Sequence, residues 1–213
     1  MKKKSRKKKK YTNQYQKMKI ASILPYKENY SKNGAGAVSL WISDFSRDSI
    51  YKRTTFIIGN TNNNDYLTKN YININIDKTK SKFNSTTKEY SKKIIEKIRD
   101  YNFDIIELHN RPIMVQDFFG KINSKIILYF HNDPTTMKGA KSATERLHLL
   151  KIVDKIIFIS KWVKNKFFQN LPQLSDNKTQ VIYHSIDAYK KKIKKEKQII
   201  FVGKLNKSKG YDL

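Results

Sequence analysis

The sequence predicts an α/β fold, a doubly wound parallel β-sheet with helices on both faces. Strand-like apolar runs alternate along the chain with segments whose apolar residues recur at helical spacing, which is the pattern of repeated βα units. The run 126–130 is apolar throughout, as expected of a parallel strand buried on both faces. Three of the four histidines directly follow predicted strands. Parallel strands would bring them to one edge of the sheet, where ligands bind in such folds.

The strands are predicted from short apolar runs that end at turn-forming residues. In chain order they cover residues 19–24, 54–58, 71–76, 104–108, 126–130, 155–159, 181–183 and 198–202. The run 71–76 alternates strictly between apolar and polar residues, so this strand is expected to be half-exposed.

Helices are predicted in the connections between these strands. Helical spacing of apolar residues marks 38–45, 87–101 and 113–120, a helix with Ala143, Leu147 and Leu150 on one face, and a helix that begins at Trp162. In the first of these helices, the apolar residues that share a face are Ala37, Leu40, Trp41 and Phe45.

A glycine loop that contains Gly34 and Gly36 joins the first strand to the first helix. Glycines let the backbone approach a ligand closely, and they can aim the amides of a helix N-terminus at an anion. Close packing of helix on strand needs glycine equally, so both interpretations stay open.

Polar side chains follow several predicted strands. They are His109, Asn110 and Arg111 after the fourth strand, His131 and Asp133 after the central one, and His184 after the seventh. An imidazole and a carboxylate at such positions can face a ligand while the strand holds their backbone. The alternative is that Asp133 and Pro134 only make a turn and that His131 caps a strand. Histidines at three strand ends favour a site.

Several other kinds of site lack their motifs. The sequence has no Gly-x-Ser-x-Gly nucleophile elbow and no complete phosphate-binding glycine loop. Three histidines and Asp133 could in principle bind zinc, but their spacing matches no local ligand motif. The absence of cysteine excludes disulfide and thiol chemistry and fits a reducing cytoplasm.

The formal net charge is +27, from 45 basic and 18 acidic residues. The basic residues are mostly lysines scattered through a chain that is also rich in Asn and Ile, as an A+T-rich coding sequence produces. We therefore favour genome composition first, attraction to an anionic membrane second and nucleic-acid binding third. No sequence-specific nucleic-acid contact is expected, because arginine is scarce. No run approaches the ~18 apolar residues that span a bilayer, and no signal core follows the basic N-terminus, so a cytoplasmic location is expected.

The composition divides the chain into four parts. Residues 1–17 form a lysine-rich tail that we expect to be disordered. Residues 18–188 form the main domain, and 189–197 a basic linker. Residues 198–213 start a second domain.

Motifs occur along the chain in a set order. They are Gly34-Ala35-Gly36-Ala37, His131-Asn132-Asp133, Phe158-Ile159-Ser160-Lys161-Trp162-Val163, the segment 181–187, and Phe201-Val202-Gly203-Lys204 with Lys209-Gly210. In this order the chain, from about Lys19 to Leu213, resembles the N-terminal half of a family-four retaining glycosyltransferase of the GT-B fold. Residues 107–112 and 129–134, with Glu145-Arg146-Leu147, resemble enzymes that build lipopolysaccharide or other surface polysaccharides.

The resemblance implies a role for each matching residue. The present domain would bind a glycan or lipid-linked acceptor, and a C-terminal domain would hold the nucleotide sugar. The acceptor side of the cleft would contain Gly34, Gly36, His109, Asn110, Arg111 and Asp133. His131 would donate a hydrogen bond to the reacting sugar, so its side chain is expected to project into the cleft beside the glycines. Lys204 and Lys209 would neutralise the departing diphosphate, and no metal or other cofactor is implied.

The chain also departs from the family pattern. Lys204 replaces the usual arginine, and His184-Ser185 replaces Asn-Gly. The family's paired glutamates belong to the C-terminal domain, beyond the last residue here. We therefore expect an N-terminal fragment, and the sequence leaves open whether it is active alone. The alternatives are a non-catalytic module that binds acceptor or nucleotide, and a basic nucleic-acid-binding protein.

Overall fold

A single parallel sheet forms the centre of the domain in the computed structural model, which describes residues 18–76, 85–172, 177–185 and Lys197. The strands are β1 Ile20–Ile23, β2 Thr55–Gly59, β3 Tyr71–Asn73, β4 Ile105–His109, β5 Lys125–Phe130, β6 Lys155–Phe158 and β7 Thr179–Val181. All adjacent pairs are parallel, in the order β3-β2-β1-β4-β5-β6-β7. The predicted doubly wound α/β fold is confirmed, and the order of strands reverses between β1 and β4, where such sheets bind ligands.

Helices connect the strands, as the spacing of apolar residues predicts. They are α1 Ala37–Asp48, α2 Thr86–Ile98, α3 Val115–Phe118, α4 Ala143–Ile152 and α5 Lys161–Phe168. Single 3₁₀ turns cover Arg99–Tyr101, Pro112–Met114 and Pro134–Thr136. The helix α4 begins with a capping box, in which Ser142 and Glu145 satisfy each other's backbone amides.

The two faces of the sheet differ in chemistry. One face packs on a large apolar core that includes Phe130, Phe158 and Phe167, all fully buried. Burying one such ring stabilises the fold by roughly 1.5–3 kcal/mol. The other face carries a smaller core under α1, in which Ile42 packs with Ile57. Because side chains alternate along a strand, the polar residues of β1 and β4 share this second face.

The helix α1 faces the sheet with its small residues and not with its predicted apolar face. Ser39, Ile42 and Ser46 are buried, whereas Leu40 and Phe45 are 49% and 48% exposed. Of the predicted apolar face, Leu40 and Phe45 are therefore largely exposed, whereas Trp41 packs against the smaller core.

The buried face of α4 also differs from the prediction. Arg146 and Leu149 are buried, whereas the predicted Ala143, Leu147 and Leu150 are only half-buried. Arg146 donates to the carbonyl oxygens of Ala140, Lys141 and Gln169 at 2.7–3.0 Å. The buried guanidinium is tolerated because its two terminal nitrogens donate to carbonyl oxygens, although its Nε is buried without a partner among the described residues.

Some of the remaining sequence predictions concern residues that the structure describes, and others concern residues outside that part of the chain. The edge strand β3 is half-buried, as its alternating sequence predicts. The tail 1–17, the linker 189–196, the strand 198–202 and the two lysines Lys204 and Lys209 lie outside the described residues. Within the described part, no helix is long and apolar enough to cross a membrane.

Candidate functional site at the edge of the sheet

A row of hydrogen-bonded side chains runs along the carboxyl edge of the sheet, and we call it the imidazole row: Ser22, His109, His131 and His184. Ser22 Oγ lies 2.8 Å from His109 Nε2. His109 Nδ1 lies 2.9 Å from His131 Nε2, and His131 Nδ1 lies 3.3 Å from His184 Nε2. The prediction that parallel strands bring three histidines together is therefore confirmed.

The backbone conformation of Asn110 fixes the middle of the row. Asn110 has a φ of 52°, in the left-handed region that asparagine tolerates better than most residues. Its backbone N–H donates to Tyr129 O at 2.9 Å, and its side-chain Oδ1 accepts from the His131 N–H at 2.7 Å. Asn110 thus ties the turn after β4 to the residue after β5, and its side chain is used within the protein.

His131 is enclosed by its neighbours. Its side chain is only 6% exposed, so the expectation of an open position beside the glycines is wrong. Burial, with smaller contributions from His109 and His184, lowers the pKa of His131 to about 2. Burial also lowers the pKa of His184. His131 is therefore neutral near pH 7, with one nitrogen that donates and one that accepts.

Trp41 of α1 covers the row. Its ring is stacked on His184, with centroids 4.8 Å apart and planes at 23°. It meets His131 edge-on, at 5.1 Å and 70°. Phe45 stacks on the other part of the indole, at 5.3 Å. The aromatic residues that the sequence predicts for one helical face therefore shield the imidazoles.

A carboxylate lies near the buried end of the row. Glu107 Oε2 is 3.9 Å from His109 Nε2, and Glu107 Oε1 accepts from the Tyr129 hydroxyl at 3.3 Å. Burial raises the pKa of Tyr129, and the nearby carboxylate raises it further. Ser22, Trp41 and Glu107 also border a cavity of about 260 Å³ between α1 and the sheet. The imidazole row thus extends from the neighbourhood of the Glu107 carboxylate to the exposed His184.

The glycine loop packs against side chains of its own segment. A Cβ at Gly34 would lie 2.5 Å from Asn29 Nδ2, and a Cβ at Gly36 would overlap the carboxylate of Glu28. Gly36 is the N-cap of α1, and Glu28 Oε1 accepts from the Ser39 N–H at 3.2 Å. Both glycines therefore lie against side chains of their own segment and not against a strand, and the Glu28 carboxylate occupies the helix N-terminus that could otherwise bind an anion.

Two other predicted residues make local contacts. Asp133 Oδ1 accepts from the Thr135 N–H and the Thr135 hydroxyl, at 2.9 and 2.7 Å. Asp133 therefore caps the 3₁₀ turn Pro134–Thr136. Arg111 Nη1 donates to the Asn110 carbonyl at 2.8 Å. Within the described residues, no group of three or more His, Cys, Asp or Glu side chains could hold a metal ion.

Three residues of the site are not predicted as site residues from the sequence: Ser22, Trp41 and Glu107. Ser22 is the polar residue of a four-residue strand that is otherwise apolar, and that exception is a usable signal. Glu107 lies two residues before His109, so the two side chains share a face of β4. Trp41 is predicted on an apolar helical face, and nothing in the sequence marks it as part of a functional site.

Comparison with known proteins finds one curated protein similar in sequence and several solved structures similar in fold. No protein-family model matches the sequence. The chain is 29% identical over 141 residues to the Bacillus subtilis protein named "Putative glycosyltransferase YtcC", in an alignment that covers 57% of this chain and 34% of that protein. Anabaena Alr3699/HepE in complex with UDP-glucose superposes with a TM-score of 0.52 at 13% identity, over 80% of this chain and 44% of that one. A glycosyltransferase from Rickettsia africae ESF-5 gives a TM-score of 0.52 at 20% identity, over 79% and 43% of the two chains.

The chain has the fold of a GT-B glycosyltransferase domain. The predicted Rossmann-like GT-B architecture is therefore confirmed. At these identities the solved structures establish the fold alone. The chain spans about a third of the curated relative and less than half of each of the two structures.

Proposed function

We propose that this domain is the acceptor-binding half of a glycosyltransferase that uses a nucleotide sugar as its donor and retains the anomeric configuration. The acceptor is a surface glycan, as in lipopolysaccharide, or a lipid-linked saccharide. The observation that carries the proposal is the imidazole row at the edge of the β1–β4 switch point. In a sheet of this topology, that edge is where ligands bind.

The proposed chemistry depends on hydrogen bonds from the imidazole row and not on a charged histidine within it. His131 is neutral because of its low pKa, so the row offers fixed N–H dipoles. Fixed donors aimed at developing charge lower a barrier because they need no reorganisation during the reaction. Lys204 and Lys209, which lie outside the described residues, would supply positive charge to the departing diphosphate. The proposal requires no metal and no further cofactor.

The acceptor side of the proposed site includes the turn after β4. Arg111 is half-buried and uses one nitrogen on the Asn110 carbonyl, so its other guanidinium hydrogens can bind acceptor hydroxyls. The proposed acceptor surface would be supported by five further residues, through the contacts described above. They are Gly34, Gly36, His109, Asn110 and Asp133. The proposed location is the cytoplasm, at the inner face of an anionic membrane, where each nearby basic residue contributes about 1 kcal/mol.

Sugar transfer from radiolabelled nucleotide sugars to isolated membranes, by the chain joined to a donor-binding domain, tests the proposal. We expect labelled product with the donor's anomeric configuration, which NMR of the product determines. His131→Ala should lower the rate by roughly 100-fold or more, the scale of one lost transition-state donor, because it breaks the row that holds the His184 imidazole in place. His148→Ala is the matched control, because His148 is exposed on α4 and outside the row.

Binding measurements separate this proposal from a non-catalytic module. If the chain binds saccharide or nucleotide but transfers no sugar, either alone or when joined to a donor-binding domain, the enzymatic proposal is wrong. Loss of transfer that equals the loss of folded protein in His131→Ala would contradict the role of His131.

A further inference from the structure

We propose that Ser22 and His109 are positioning residues that determine which ring nitrogen of His131 and of His184 carries hydrogen. In consequence, His184 presents an Nδ1–H donor to an oxygen atom of the bound nucleotide sugar. This inference rests on the proposed function for the identity of the ligand. The alignment of the row itself does not depend on the ligand.

The first step concerns which nitrogen is available. His109 uses both ring nitrogens, on Ser22 and on His131. His131 also uses both, on His109 and on His184. Within the described part of the chain, Nδ1 of the exposed His184 is the ring nitrogen of the row that has no partner. A ligand can therefore reach the row without breaking it only at His184.

The second step concerns direction. A neutral imidazole has one N–H donor and one acceptor nitrogen. When such rings bond one to the next, every N–H must point the same way along the row. Two arrangements are open: hydrogen on Nδ1 of all three rings, or hydrogen on Nε2 of all three rings. The tautomer of His184 is therefore fixed by the group at the opposite end.

The third step concerns Ser22, which is that group. Its side chain is 1% exposed, and His109 is its hydrogen-bond partner among the described residues. If the Ser22 hydroxyl donates to His109 Nε2, its hydrogen is satisfied and all three rings carry hydrogen on Nδ1. In the reverse arrangement His109 donates, and the buried serine hydrogen has no acceptor among those residues, which is unfavourable.

Glu107 acts against the arrangement with hydrogen on Nδ1, because a carboxylate favours a hydrogen on the nearby Nε2 of His109. Its Oε2 is 3.9 Å away, beyond hydrogen-bond distance. Its Oε1 accepts from the Tyr129 hydroxyl. The direct 2.8 Å contact with Ser22 therefore dominates, and the row points outward toward His184.

The geometry at the exposed end fits a donor of fixed direction. The stacked Trp41 ring, with planes at 23° to His184, limits rotation of the imidazole. The hydrogen bond through Nε2 fixes which edge faces away from the row. A neutral, oriented N–H of this kind suits phosphate oxygens and sugar hydroxyl oxygens alike.

Nitrogen-15 NMR of the histidine rings in the free chain tests the alignment, because it distinguishes Nδ1–H from Nε2–H. We expect Nδ1–H for His109, His131 and His184, and the ordinary solvent mixture for the exposed His148. Ser22→Ala should shift all three rings toward Nε2–H together, whereas Ser22→Thr should preserve Nδ1–H. Ser91→Ala is the control, because Ser91 is equally buried and bonds only within α2. Nε2–H rings in the unaltered chain, or rings that ignore Ser22→Ala, would overturn the inference.

Titration of the chain, joined to a donor-binding domain, with UDP-glucose and other nucleotide sugars tests the contact. We expect the His184 nitrogen signals to move before those of His109, and His184→Ala to weaken binding roughly tenfold or more, as for one charge-assisted hydrogen bond. Binding that leaves His184 unmoved would contradict the contact. If the tautomers are as expected but the chain joined to a donor-binding domain neither binds a nucleotide sugar nor transfers sugar, the proposed function is wrong and the alignment of the row stands.

Discussion

The Ser39 N–H donates a 3.2 Å hydrogen bond to Glu28 Oε1, so a carboxylate of the chain itself lies at the N-terminus of α1. The amides of a helix N-terminus carry partial positive charge and attract anions. In this domain that position is used for the protein's own stability.

Removal of the Glu28 charge should therefore destabilise the domain. We expect Glu28→Gln to lower the free energy of unfolding by about 0.5–1 kcal/mol, the usual strength of an anion at a helix N-terminus. Salt should reduce the difference. Urea unfolding at low and high salt measures both quantities. Glu96→Gln, at an exposed position within α2, is the control, and an equal loss in both variants would contradict the prediction.

Replacement of His131 should affect folding as well as any activity. Because the imidazole is buried and bonded on both sides, His131→Ala removes a partner from each of two rings. We expect a loss of roughly 1–3 kcal/mol in the free energy of unfolding. His148→Ala should stay within about 0.5 kcal/mol of the unaltered protein. Thermal or urea unfolding of both variants is the measurement, and equal stabilities would show that the row contributes nothing to folding.

The low pKa of His131 predicts how stability depends on pH. The pKa is about 2 in the folded protein, against an ordinary value of 6.5, so the unfolded chain binds a proton that the folded chain excludes. Stability from this group is complete above pH 6.5 and is lost as the pH falls from 6.5 toward 2. The slope approaches about 1.4 kcal/mol per pH unit.

Urea unfolding between pH 5 and 8 tests this dependence. His131→Gln should flatten the slope below pH 6.5, since the titrating group is absent. His148→Gln should keep the slope of the unaltered protein. If His131→Gln and the unaltered protein have parallel profiles, His131 accepts a proton in the folded state and the prediction fails.

Arg146 should be required for folding in a way that a lysine cannot replace. Its guanidinium bonds three carbonyl oxygens, from the loop before α4 and from the end of α5. We expect both Arg146→Met and Arg146→Lys to cost about 2–4 kcal/mol, because carbonyls lose donors and an ammonium cannot reproduce the fork. Arg47→Met is the matched control, since Arg47 is exposed and its ion-pair partners among the described residues are Asp44 and Asp48 on the same helix. A tolerated Arg146→Lys would show that charge alone suffices.

Much of the fold was predictable because parallel strands buried on both faces leave an unmistakable pattern. The run 126–130 is apolar throughout, and the observed strand Lys125–Phe130 differs from it by one residue. The meeting of His109 and His131 was predictable for a related reason. His109 is the last residue of β4 and His131 directly follows β5, and adjacent parallel strands place those ends together.

The surroundings of the row were not predictable in the same way. Hydrophobic spacing identifies α1, but it cannot show that Ser39 and Ser46 face the sheet while Phe45 faces outward. That choice depends on how closely the helix approaches the sheet. The burial of Arg146 likewise depends on carbonyl groups that are distant in sequence, such as that of Gln169.

The stacking of Trp41 on His184 makes the indole an optical reporter of the row. The sequence contains two tryptophans, and the second, Trp162, is 56% exposed on α5, outside the imidazole row. A protonated imidazole quenches the fluorescence of a stacked indole, whereas a neutral one quenches it little. In a Trp162→Phe background, emission intensity alone would therefore follow the charge of His184 and its displacement from the indole. Events at this edge of the sheet can thus be timed by stopped-flow fluorescence without an added dye.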